Sequence, residues 1–238
     1  MILLALDTST EACSAALWID GRVLERFEVA PRKHTELLLP MIDELLLEAE
    51  LPKDALDAIV FGRGPGSFTG VRLAASVAQG LAFGLGKPVI PLSSLAALAQ
   101  AELDENPGQP IAAMIDARMG EIYLGMYRAD EAGLAVALSP ERVLPPEQVN
   151  LGADQDWRAV GSGWQTYGKV LAEQLGDRIS GQPQPRYPRA AALLKLAERE
   201  ALSSRWHTPE QAQPLYLRDK VALTVSERLE QRQLAKAS

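Results

Sequence analysis

Ile2-Leu3-Leu4-Ala5-Leu6-Asp7-Thr8-Ser9-Thr10-Glu11-Ala12-Cys13-Ser14-Ala15-Ala16-Leu17-Trp18 reads as a short apolar strand, a turn built from Asp7, Thr8, Ser9 and Thr10, and a second strand. The pattern recurs about 110 residues on. Ile111-Ala112-Ala113-Met114-Ile115-Asp116 is again an apolar run ending in Asp, Ala117 to Gly120 a turn, and Glu121 to Tyr127 a strand. A repeat of that length is too long for a solenoid and fits a duplicated, two-lobed fold.

Outward from the first copy, Asp20-Gly21 is a hairpin turn signal leading into a strand from Arg22 to Val29. A helix is expected over about 35–50, a buried strand over Leu56 to Phe61, a loop over Gly62 to Gly70 and a helix from about Val71 to Leu85. A strand at Pro88 to Leu92 and a helix over Ser93 to Glu105 follow, and Asn106-Pro107-Gly108-Gln109-Pro110 is the clearest linker. Strands that meet first as hairpins and then alternate with helices predict a mixed α/β sheet covered by helices. The boundary expected is 1–105 for the first lobe and 106–238 for the second, with the last helix free to pack back on the first. Later elements are a short strand at Arg158 to Gly161 and helices over Trp164 to Leu175 and Arg189 to Leu202. The charged tail beyond Leu217 is expected to fray over its last dozen residues.

Of 238 residues, 47% are apolar and 23% charged, the balance of a globular chain with an ample core. Twenty-four Lys and Arg against 31 Asp and Glu leave a net charge of −7, the wrong sign for gripping nucleic acid unaided. The sole cysteine, Cys13, excludes an intrachain disulfide and is expected to be buried. A start without basic residues, interrupted at Asp7, is not a signal peptide, and no apolar run reaches membrane length; the expected location is the cytoplasm.

The loop Gly62-Arg63-Gly64-Pro65-Gly66-Ser67-Phe68-Thr69-Gly70 stands between strand and helix, where anions bind free backbone N–H groups. It fits neither the P-loop, since Val71 follows Gly70, nor the dinucleotide fingerprint, since Thr69 stands at the third glycine. Its glycines and Pro65 are read as shaping a tight turn that brings the helix close. Asp7, Thr8 and Ser9 could hold a metal–nucleotide phosphate or simply form a turn; the mate Asp116 favours an ancestral site. His34 and His207 are too far apart in sequence to suggest zinc, and Ser67 lacks a nucleophile elbow. The helices say more. Between Leu37 and Leu47 only Pro40, Asp43 and Glu44 are not apolar, and Leu73 to Gly86 carries no charge. Helices this apolar are either fully buried or form a partner surface.

These motifs together resemble the TsaB (YeaZ) family, tRNA threonylcarbamoyladenosine biosynthesis proteins. The resemblance rests on Asp7-Thr8-Ser9-Thr10, His34-Thr35-Glu36 with Leu39-Pro40, the string Gly62 to Arg72, Asp116 to Glu121, and Pro214-Leu215-Tyr216-Leu217-Arg218. It implies a two-lobed actin/Hsp70/sugar-kinase-like fold and a non-catalytic scaffold that pairs with TsaD and, through that complex, with TsaE and tRNA. The complex transfers threonylcarbamoyl from its adenylate to N6 of adenosine 37 in tRNA. TsaD of the same fold carries a His-His-Met-Glu-Gly-His stretch, two of whose histidines bind metal; laid on it, Ser94 and Leu98 stand at the ligand positions here. The resemblance thus implies no metal or cofactor, and Asp7, Thr8 and Ser9 as vestiges of a nucleotide loop. Leu37, Met41, Leu45, Val77 and Leu81 are expected on the partner face, used for TsaD or, in the chain alone, for a homodimer. The alternative is an active ATP-dependent kinase or ATPase of the same fold.

Overall fold

A computed structural model describes residues 1–152, 156–180, 186–202 and 206–218. The expected fraying of the tail lies outside these residues.

The first strands are β1 (Ile2–Asp7), β2 (Ala12–Ile19) and β3 (Arg22–Val29), followed by β4 (Ala58–Gly62) and β5 (Val89–Leu92). They form one five-stranded sheet in the order β3-β2-β1-β4-β5. β2 runs antiparallel to β1, and β4 parallel to it. Asp20 and Gly21 both take positive φ in the hairpin between β2 and β3, as a primed turn requires. Three helices belong to this half: α1 (His34–Glu48), α2 (Phe68–Leu85) and α3 (Ser94–Glu105).

The second sheet repeats the arrangement. β7 (Glu121–Ala129) is antiparallel to β6 (Ile111–Arg118), and β10 (Arg158–Val160) is parallel to it. Where β5 stands in the first sheet, the second has a single parallel bridge from Trp157 to Ile179. Two strands that the sequence reading missed, β8 (Ala135–Ala137) and β9 (Arg142–Leu144), both pair with β7. The fold is therefore the expected α/β arrangement of two related mixed sheets with flanking helices.

The sheets are stacked through shared helices. α1 and α2 cover one face of the first sheet, where Leu38, Ile42, Leu45, Ala74, Ala78 and Ala82 meet Leu4, Leu6, Leu17, Ile59 and Phe61. Its other face carries α5 (Ala190–Leu202), through Leu193, Leu194 and Ala197. α3 lies on the second sheet, where Leu95, Leu98 and Leu103 pack on Ile111, Ala113 and Val160. α4 (Ser162–Leu175) closes the far face. Packing thus crosses the sequence boundary at 106–110: α3 precedes the linker yet covers the second sheet, and α5 follows it yet covers the first. Cys13 is buried, and desolvation together with Asp7 and Glu28 pushes its thiol up to about 12, so it is an inert core residue.

Two helices start earlier than the sequence suggests, each for its own reason. Ser67 caps α2, its Oγ accepting from the N–H of Gly70, so the helix begins at Phe68, inside the glycine loop. Gly161, at φ 108°, lets α4 begin at Ser162 instead of Trp164. By length and hydropathy alone α2 could cross a bilayer, but its inner face is core of the first sheet.

Candidate functional site

The two Asp-bearing turns and the glycine loop converge at one cleft of about 200 Å³, lined by Ser9, Thr10, Ser67, Asp116, Arg118 and Tyr216 among others. Asp7 ends β1 with 1% of its surface exposed. Its Oδ1 accepts from the Ser9 N–H at 2.8 Å and the Ser9 hydroxyl at 2.6 Å, and its Oδ2 accepts from the Ser94 hydroxyl at 2.7 Å. Both carboxylate oxygens of Asp7 are thus engaged by the chain itself.

The glycine loop closes over this turn. Thr8 donates its hydroxyl to the Gly70 carbonyl at 2.7 Å, and the Ser67 N–H donates to the Ser9 carbonyl at 2.7 Å. A Cβ on Gly66 would stand 2.3 Å from the Ser9 carbonyl oxygen, and one on Gly70 1.9 Å from that of Thr8. A Cβ on Gly62 would strike Oδ2 of Asp7 at 1.8 Å. The glycines are thus explained by backbone-to-backbone contact rather than by an anion. His34, at the start of α1, points Nε2 at the Thr10 carbonyl, 2.9 Å away, and as the donor there it carries the hydrogen.

Asp116 answers Asp7 across the cleft in a different way. It accepts from the Arg118 N–H and guanidinium at 2.8 and 2.9 Å and from the Tyr167 hydroxyl at 3.3 Å. Arg118 continues to Glu11 at 2.8 Å, tying the second hairpin to the first turn. Asp116 has a cation and Asp7 only hydroxyls and one N–H. Desolvation consequently dominates at Asp7, lifting its pKa above the ordinary carboxylate value despite the bonds from Ser9 and Ser94.

Because the folded pKa is raised, Asp7 favours folding below its unfolded pKa and loses that contribution as pH rises through its folded one. Asp7→Asn keeps the shape, accepts from Ser9 and turns the Ser94 hydroxyl into an acceptor. We expect it to be at least as stable as the parent chain at pH 7, with the difference closing in acid, as thermal melts across pH would record. A variant less stable than the parent at neutral pH contradicts this account.

Among the described residues no three His, Cys, Asp or Glu side chains gather into a metal-sized group. Ser94, set by the resemblance at a ligand position, is buried and held on Asp7, and Leu98 is buried in the second sheet's core. No sequence signal announces the Ser94–Asp7 bond, which joins residues 87 positions apart.

The expected partner-face residues divide. Leu45 is 0% and Met41 7% exposed; both point into the first sheet, which corrects their placement on the surface. Both share the inward stripe of α1 with Leu38 and Ile42, Met41 about one turn from Leu38 and Leu45 about one turn from Ile42. Leu37, Val77 and Leu81 are half-buried at the rim of that core. The large apolar side chains that α1 and α2 do expose are Leu39, Leu47, Phe68 and Phe83. On α2, Gly80 and Gly84 face open space, beside exposed Ser76 and half-exposed Leu73 and Val77. That outer face carries no charge between Leu73 and Gly86.

Residues 27–224 match the family model described as TsaD, tRNA N6-adenosine threonylcarbamoyltransferase. The tRNA threonylcarbamoyladenosine biosynthesis protein TsaB of Escherichia coli is 40% identical over 225 residues, covering 93% of this chain and 96% of that protein. Its counterpart in Haemophilus influenzae is 42% identical over 231 residues, with 93% and 95% covered. Among solved structures, YeaZ from Pseudomonas aeruginosa superposes with a TM-score of 0.82 at 46% identity, over 91% of this chain and 99% of that one.

Proposed function

The chain belongs to the TsaB (YeaZ) family, and from that premise we propose that it is a non-catalytic partner subunit: it pairs with TsaD and, through that complex, serves TsaE and tRNA. In this reading it works in the cytoplasm as two lobes divided near 106–110, and self-associates when TsaD is absent. The complex, not this chain, carries threonylcarbamoyl to N6 of the tRNA adenosine.

The observation that carries the reading is the outer face of α2. Glycine in a helix interior costs roughly 1 kcal/mol relative to alanine. Gly80 incurs that cost, and a Cβ added there or at Gly84, in the last turn, would meet nothing within 4 Å beyond the helix's own backbone. Small residues one turn apart on an uncharged, exposed helix face let another helix approach closely, ridge into groove. TsaD, sharing the fold, can offer an equivalent pair of helices. Against catalysis by this chain stand the engaged oxygens of Asp7 and the hydroxyl of Ser94 at a ligand position.

Reconstitution tests it. TsaD and TsaE with tRNA and threonylcarbamoyl-adenylate should form little modified adenosine without this chain, and full levels with it or with Asp7→Asn. The chain alone should show no thermal shift with ATP–Mg²⁺, whereas an ATPase with ligand at 100 times its Kd would gain about 2.7 kcal/mol. Full modification in its absence, or an inactive Asp7→Asn, overturns the proposal.

A further inference from the structure

Apart from the cleft just described, a larger cavity of about 640 Å³ opens where β5, the head of α3, α5 and the β8–β9 connection meet. Its wall is mainly apolar, with Leu92, Leu134, Leu196 and Leu215 among its residues. Four charged residues interrupt that wall, Arg63, Glu141, Arg199 and Glu200.

Arg63 enters from the glycine loop. Its main chain is fixed, the N–H donating to Leu92 and the carbonyl accepting from Leu215, both at 2.8 Å. Its Nε is buried without a hydrogen-bond partner among the described residues. Glu141 enters from the opposite connection. Its Oε1 accepts from the hydroxyls of Ser93 and of buried Tyr127, and it has no ion pair among the described residues. The two charges are not bonded to each other. Of the other charged residues lining the cavity, Arg199 pairs with Asp130 and Glu200 has a partner of its own.

A guanidinium without an anion and a carboxylate without a cation, held on an apolar cavity wall, are complementary to a molecule carrying both charges. We propose that this cavity binds a small zwitterion with an apolar body, of the amino-acid or short-peptide class, its acid group on Arg63 and its ammonium on Glu141. The size falls within the range of small-molecule sites, and the few convergent polar groups fix the orientation. Ser93 and Tyr127 hold Glu141 in place, so its second oxygen is presented in one position.

The test is isothermal titration of the full chain with two zwitterions of different length, L-leucine and L-leucyl-L-leucine. The controls are 4-methylpentanoate, which is leucine without its amine, and 3-methylbutan-1-amine, which is leucine without its carboxylate. We expect one zwitterion to bind, with each single-charge control at least tenfold weaker. Arg63→Gln and Glu141→Gln should each lower zwitterion affinity at least tenfold while leaving the circular dichroism spectrum unchanged. Glu141→Gln retains an acceptor for Ser93 and Tyr127, so it reads the site even if Arg63→Gln folds poorly. Binding by neither zwitterion, equal binding of the acid control, or unaltered affinity in a folded variant overturns the proposal.

Discussion

Val77→Glu is expected to leave the chain folded and to abolish its association, both with itself and with TsaD. Val77 is half-buried at the rim of the α2 core, so a glutamate there can turn its carboxylate to water in the isolated chain. In a helix–helix contact over Gly80 and Gly84 it cannot. An unpaired charge buried between apolar helices costs about 3–5 kcal/mol, and every 1.4 kcal/mol is tenfold in affinity, so binding should weaken by a factor of at least about 100. Sedimentation of the variant alone and mixed with TsaD reads the effect, with circular dichroism to confirm folding. Met41→Glu does not serve this test. Met41 lies in the core, and a charge there would unfold the chain before it separated any partner. A folded Val77→Glu that still dimerises and still binds TsaD would place the interface elsewhere.

The residues of that face show where sequence reading stops. A helix apolar around most of its circumference announces that something covers it. It does not say which stripe the sheet takes. On α1, Leu38, Met41, Ile42 and Leu45 fall to the sheet, leaving Leu39 and Leu47 outside. Hydrophobicity ranks these leucines alike, and only the register of helix on sheet separates them. The duplicated sheets were legible because strand, Asp, turn and strand recur with their spacing intact. β8 and β9 were not, because three residues each, near Pro140, Pro145 and Pro146, carry no period to detect. The interleaving of α3 and α5 between the sheets was hidden for another reason. Chain order places α3 before the linker and α5 after it, while packing places each on the other half's sheet. At the Asp7 turn the residue types were visible but their state was not, since Ser94 and Gly70, which close the site, lie far along the chain.

Gly70→Ala should be among the most destabilising single-methyl changes in this chain. The added Cβ would lie 1.9 Å from the Thr8 carbonyl oxygen and 3.0 Å from the Ser67 Oγ that caps α2. Neither neighbour is the loose end of a long side chain. Thr8 is buried in the turn, with its own hydroxyl on the Gly70 carbonyl. Relief requires the first turn of α2 to lift off the Asp7 turn, which strains the Ser67–Ser9 bond and the helix cap together. Overpacking costs typically 1–3 kcal/mol and more where several bonds go with it. We expect about 3 kcal/mol, which for a chain of this size lowers Tm by about 6–12 °C. Gly80→Ala, ten residues along the same helix, is the internal control. Nothing stands within 4 Å of its new Cβ, and alanine is the better helix former, so the isolated chain should gain up to about 1 kcal/mol. Opposite signs from one substitution type in one helix would separate the two roles of its glycines. Gly70 admits the chain's own backbone; if, as proposed, Gly80 admits a partner's, Gly80→Ala should melt higher alone yet bind TsaD more weakly. A Gly70→Ala chain that melts within 2 °C of the parent would mean that the Asp7 turn and the head of α2 are not locked together as described.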